Sequence, residues 1–67
     1  MIFVGILTSG GVITAHNSNI LSDVTDDTTT LSELNYKVGW TFRFTSAGNF
    51  YEEVVEPGDM IIAIKNR

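Results

Sequence analysis

The chain has 67 residues, no cysteine, one histidine, and eight acidic against four basic residues for a formal net charge of −4. That leaves room for one domain and excludes disulfides and a thiolate metal site. The cations Lys37, Arg43, Lys65 and Arg67 are dispersed, so no basic stripe exists to neutralise nucleic-acid phosphates, and no apolar run approaches the roughly 20 residues that span a bilayer.

A chain this short buries only about 60% of the surface that its unfolded form exposes, so its core is marginal. The 43% hydrophobic fraction is globular. Additional stability is therefore expected from contacts with other subunits or with a parent chain.

The apolar run Ile2-Phe3-Val4-Gly5-Ile6-Leu7 is too short and lacks the basic flank for a signal segment, and it reads as a strand. It stops at Ser9-Gly10-Gly11, and Val12-Ile13-Thr14-Ala15 resumes. A hairpin is predicted, with Gly10 and Gly11 supplying positive φ. Residues 16–32 are polar and rich in Asp and Thr. They read as a long surface loop held down by Ile20-Leu21, and loops of this length are usually functional or mobile. Ser32-Glu33-Leu34 is expected to form at most one helical turn.

From Val38 the alternation is clean. Trp40, Phe42 and Phe44 point one way and Thr41, Arg43 and Thr45 the other, which makes the three aromatic rings the centre of the core or, failing that, a binding face. Ser46-Ala47-Gly48-Asn49 reads as a hairpin turn. Residues 50–55 read as an edge strand or a bulge near Glu52-Glu53, since neither face is purely apolar. Glu56-Pro57-Gly58-Asp59 fits a type II turn, with Pro57 fixing φ and Gly58 accepting positive φ. Type II geometry splays a tight hairpin, so the chain is expected to turn a corner there. Met60-Ile61-Ile62-Ala63-Ile64 is apolar on both faces and reads as an interior strand.

No constellation for catalysis is legible. Asp23, Asp26 and Asp27 are a carboxylate cluster, but the EF-hand glycine and distal glutamate are missing, and the cluster reads as a solvated loop. His16 has Ser18, Ser22 and Asp23 nearby, without a nucleophile elbow or an oxyanion-hole loop. Glu52 and Glu53 are adjacent on a strand and face opposite sides, so they cannot flank one glycosidic bond. No metal or cofactor is expected. Tyr36 and Tyr51 carry hydroxyls beside polar residues and are the better candidates for a contact surface.

The Glu56-Pro57-Gly58-Asp59-Met60 stretch looks like the turn of biotinyl and lipoyl carriers. The lysine that such carriers hold in a hairpin tip is absent, because Lys37 precedes Val38-Gly39 and Lys65 lies at the C-terminal end. A second resemblance covers most of the chain. Phe3-Val4-Gly5-Ile6-Leu7, Gly10-Gly11 with Val12-Ile13-Thr14-Ala15, Tyr36-Lys37-Val38-Gly39-Trp40-Thr41-Phe42-Arg43, Ala47-Gly48 and Gly58-Asp59-Met60-Ile61-Ile62-Ala63 resemble a small module of bacteriophage head-fibre, tail-fibre and spike-like proteins. In 51–55 the chain departs from that pattern, with two glutamates where the module often has glycine and a neutral residue.

The expectation is therefore an all-β domain of about six short strands, a compact barrel or sandwich. The resemblance implies a non-enzymatic virion component, a fibre, spike or decoration domain that mediates assembly or display on the particle. Its partners would be other virion proteins and further copies of itself, with a trimer favoured by the fibre likeness. The rival reading is a receptor- or glycan-binding module for host attachment that uses Tyr36, Tyr51 and the 16–32 loop. Beyond the two tyrosines, Ile2, Leu7, Val55 and Ile64 are the expected interface residues. Gly10, Gly11, Gly48, Pro57, Gly58 and Asp59 are the expected turn formers.

Overall fold

Alternating apolar residues broken by glycine dictate the first hairpin. Strand β1 (Ile2–Leu7) runs antiparallel to β2 (Ile13–His16) in the computed structural model, which describes residues 1–67. The reversal is closed by the Gly11 N–H donating to Thr8 O (2.9 Å) and the Thr8 N–H donating to Val12 O (2.9 Å). Gly11 alone takes positive φ, at 86°. This is the pattern of a three-residue loop with one left-handed position, so Gly10 is not needed for its φ.

Strand β3 (Trp40–Phe44) lies parallel to β1 and antiparallel to β6 (Met60–Ile62), giving the sheet order β2-β1-β3-β6. The parallel pairing obliges the chain to cross from β1 to β3 through β2 and the 16–32 loop. That loop is less free than its composition suggests. Ile13 N–H donates to Thr29 O (2.8 Å), Asp27 N–H donates to Ile13 O (2.7 Å), and Val12 bridges Thr30, so the loop's last third lies along the outer edge of β2. Leu21 is buried, as the apolar tack predicted.

The expected single turn is a 3-10 helix over Leu31–Glu33. Glu33 Oε1 accepts from the Thr30 N–H (3.0 Å) and from the Thr30 hydroxyl (2.9 Å). First the backbone bond and then the hydroxyl bond hold the Glu33 carboxyl below the usual glutamate range. The carboxylate's contribution to this turn is present above the unfolded glutamate pKa and is lost as pH falls through the lowered value.

Strands β4 (Gly48–Phe50) and β5 (Glu53–Val55) form a separate antiparallel hairpin. The hairpin lies over the face of the sheet that carries Phe42 and Phe44, with the Phe44 and Phe50 rings edge-to-face at 4.9 Å. The result is a small two-layer β-domain. Nine residues form its core, among them Val4, Leu7, Ile13, Phe42, Phe44 and Val55, with Trp40, Phe50 and Ile61 packed against them.

Four sequence expectations change. The hairpin reverses at Tyr51-Glu52, and Gly48 begins β4 instead of sitting in a turn. Trp40 is half-buried at the end of the aromatic stripe and so is not central to the core. Leu7 and Val55, expected at an interface, are core residues. The fourth change is the largest. Residues 60–62 are the sheet's outermost strand, not an interior one, and Met60 and Ile62 are each 50% exposed. A run apolar on both faces looks interior by pattern, but here its outward side chains have no second layer to meet.

The Glu56-Pro57-Gly58-Asp59 turn is as expected. Asp59 N–H donates to Glu56 O (3.0 Å), Asp59 Oδ2 accepts from the Glu56 N–H (2.9 Å), and Gly58 has φ of 94°. The corner carries the chain from β5 in one sheet to β6 in the other. No atom lies within 4 Å of where a Gly58 Cβ would stand, so any penalty there comes from φ alone. Gly58→Ala should lower stability by about 1 kcal/mol. Equal urea midpoints for the variant and the parent would contradict the type II turn.

Candidate functional site

The β4–β5 reversal carries the backbone's most strained pair. Tyr51 and Glu52 have φ of 49° and 81°, both in the left-handed region that a two-residue type I′ turn demands and that Asn-Gly satisfies without strain. Here the pair is a ring and a carboxylate. The reversal places Tyr51 at the hairpin tip, 70% exposed, with its ring 4.6 Å from Phe50 in an edge-to-face contact. Glu52→Gly should therefore stabilise the domain by roughly 1 kcal/mol, because glycine reaches φ of this sign freely. A lower melting temperature in that variant would mean that Glu52 makes a contribution beyond its backbone.

Tyr51 forms one wall of an apolar cleft of about 270 Å³. The floor is Phe42 and Phe50, and the second wall is β6 with the residues after it, Ile61 to Lys65. Tyr36 and Leu31 close the end. Nine of the ten lining residues are hydrophobic, and Lys65 is the one charged group. Such a cleft suits an apolar side chain or a short apolar segment, with the two phenols and the ammonium available to fix its orientation.

On the other side of the hairpin tip lies a polar hollow of about 200 Å³. It is lined by Ser9, Thr30, Ser32 and Asn49, with Phe50 and Tyr51 again on its border. Tyr51 thus stands between an apolar and a hydroxyl-rich concavity.

The structure brings together three of the six expected contact residues: Tyr36, Tyr51 and Ile64 line the same cleft. Ile2 is exposed but does not line it, and Leu7 and Val55 are buried. Of the 16–32 loop, Leu31 and its neighbours Thr30 and Ser32 reach these two hollows, while residues 20–24 border a third. Sequence reasoning missed Ile61 and Ile62 as wall residues because it took their strand to be interior, and Lys65 because it took 65–67 to end in solvent. The Thr30-x-x-Glu33 spacing, a helix-start signal, could have located the turn that closes the cleft.

The polar candidates form one pair. His16 Nδ1 and Asp26 Oδ1 are 2.7 Å apart, a contact that ties the end of β2 to the loop. Asp23, Asp26 and Asp27 do not gather into a group able to hold a metal ion. No helix is long and apolar enough to cross a membrane. No protein-family model, curated protein or solved structure matches the chain.

Proposed function

We propose that the protein is a non-enzymatic structural component of a bacteriophage virion, a fibre, spike or decoration domain that engages other protein chains through the Tyr36–Tyr51 cleft and the β6 edge beside it. The observation that carries this reading is the apolar surface left uncovered there. Ile64 is 85% exposed and Tyr51 70%, with Met60 and Ile62 half-exposed on the adjoining strand. A chain this short has little apolar surface to spare, and exposed apolar groups gathered at one cleft are the mark of a protein interface. The fibre-module resemblance runs through the same elements, since Tyr36, Phe42 and Met60-Ile61-Ile62-Ala63 carry it.

Antiserum raised against the recombinant domain tests the assignment on particles purified from the source culture by density gradient. The chain should band with the particles, and immunogold should decorate them. Its absence from every particle fraction would refute the virion role.

The attachment reading has its own support in the polar hollow, where Ser9, Thr30, Ser32 and Asn49 lie beside the exposed Tyr51 ring. A stacking ring next to hydroxyl and amide groups is chemistry that suits a sugar. Binding to host envelope glycans that Tyr51→Ala abolishes would favour this role over assembly.

A further inference from the structure

The two edges of the four-stranded sheet are treated differently. The outer edge of β2 is covered at its start by residues 27–31, which bond the Ile13 N–H and C=O and the Gly11 C=O. The outer edge of β6 has no strand beside it. Along β6, Phe44 N–H donates to Asp59 O (2.8 Å), Ala63 N–H donates to Trp40 O (2.9 Å), and Phe42 stands opposite Ile61. Residues 59, 61 and 63 thus turn their backbone groups toward β3. In an antiparallel ladder the alternate residues, Met60 and Ile62, turn theirs away. The free edge offers unpaired N–H and C=O groups under half-exposed Met60 and Ile62 side chains. The strand is short, at three residues, but it carries none of the lysine, proline or bulge devices that also blunt such an edge.

The charges flanking this edge are ordered. Glu56 and Asp59 precede β6, Lys65 and Arg67 follow it, and residues 60–64 carry no charge. A parallel neighbour of the same sequence would set acid beside acid. An antiparallel one sets the acidic end of each strand beside the basic end of the other. The edge is therefore self-complementary under a two-fold axis, as an isologous interface requires.

We infer that β6 pairs antiparallel with β6 of a second copy of this chain, joining two four-stranded sheets into one continuous sheet. The register follows from the outward-facing residues: Met60 stands opposite the second copy's Ile62, and the two Ile61 residues meet at the axis. Ordering by charge selects a two-fold in place of the three-fold suggested by the fibre likeness. The pairing deepens the assembly reading and rests on it. The particle assay asks where the chain resides and the solution assay asks how it pairs, so either can fail alone.

Size exclusion with light scattering, run over a dilution series, tests it in the whole chain. The parent should be a dimer in which the Met60 and Ile62 amides are protected from hydrogen exchange, and that protection should fade on dilution. Ile62→Lys places like charges beside the axis and should weaken dimerisation at least about tenfold, while unchanged Trp40 fluorescence reports an intact monomer. Lys65→Glu with Arg67→Glu should also weaken it. Adding Glu56→Lys to that pair, which leaves the Asp59 carboxylate in its turn, should recover part of it, because an opposite charge then faces the reversed end. A parent that stays monomeric at high micromolar concentration would overturn the proposal. So would a trimer, a dimer indifferent to Ile62→Lys, or charge reversal without rescue.

Discussion

Phe44→Ala should cost about 3–5 kcal/mol, the usual penalty for emptying a buried aromatic site. Phe44 is 1% exposed at the end of β3, opposite Leu7 of β1, and its ring meets Phe50 of the hairpin edge-to-face. It therefore joins the two layers, and truncation would open a cavity where the hairpin packs on the sheet, beside the buried Val55 of β5. At roughly 0.05–0.15 kcal/mol per residue a domain of this size has a total stability of about 3–10 kcal/mol, so the variant should lose from about a third to all of it. Urea titration followed by Trp40 fluorescence reads the loss. Trp40→Ala, followed by circular dichroism instead, should cost less, because Trp40 is only half-buried on the same strand. A Phe44→Ala variant that unfolds within 1 kcal/mol of the parent would mean that the hairpin is not anchored through this ring.

The difference between these two aromatic residues shows how far the sequence could be read. Alternation placed Trp40, Phe42 and Phe44 on one face correctly, since the period of a strand is a local property. How deeply each sits depends on what covers that face, and the cover is a hairpin whose reversal falls on Tyr51-Glu52, two residues with no turn signal. The sequence pointed instead to Ser46-Ala47-Gly48-Asn49, where small and polar residues mark the corner between β3 and β4. The same limit accounts for β6. An apolar run is interior only if the topology puts a neighbour on each side, and strand order is not written in periodicity. The cleft was partly legible: Tyr36 and Tyr51 stood out as rings beside polar residues. Their convergence with Ile64 and Lys65 depends on the antiparallel pairing of β3 with β6, which sets Tyr36 O against the Arg67 N–H, and on where the hairpin lies, neither of which any local pattern announces. The Glu56-Pro57-Gly58-Asp59 turn was fully legible, because proline and glycine fix the geometry by themselves.

Gly5→Ala should be more damaging than Gly58→Ala, for a reason that the sequence alone does not contain. Gly5 is buried in β1, opposite His16 of β2 on one side and Phe42 of β3 on the other. The β1–β3 register slips between Phe3 and Gly5, and on its other side Gly5 is crowded by β2. A Cβ on Gly5 would stand 2.6 Å from the Ala15 carbonyl oxygen and 3.4 Å from His16 Cα. Both are backbone atoms, so no side chain can rotate to make room, and β1 and β2 would have to move apart. Overpacking of this kind costs roughly 1–3 kcal/mol. In a domain of this length about 1 kcal/mol shifts the melting temperature by roughly 4–8 °C. Gly58→Ala, with open space around the new methyl group, should stay near the lower end of that range of cost. Thermal unfolding of the two variants in one buffer compares a steric effect with a purely conformational one. If Gly58→Ala proved the more destabilising, β1 and β2 would have to pass farther apart at Gly5 than the 2.6 Å approach of the Ala15 oxygen allows.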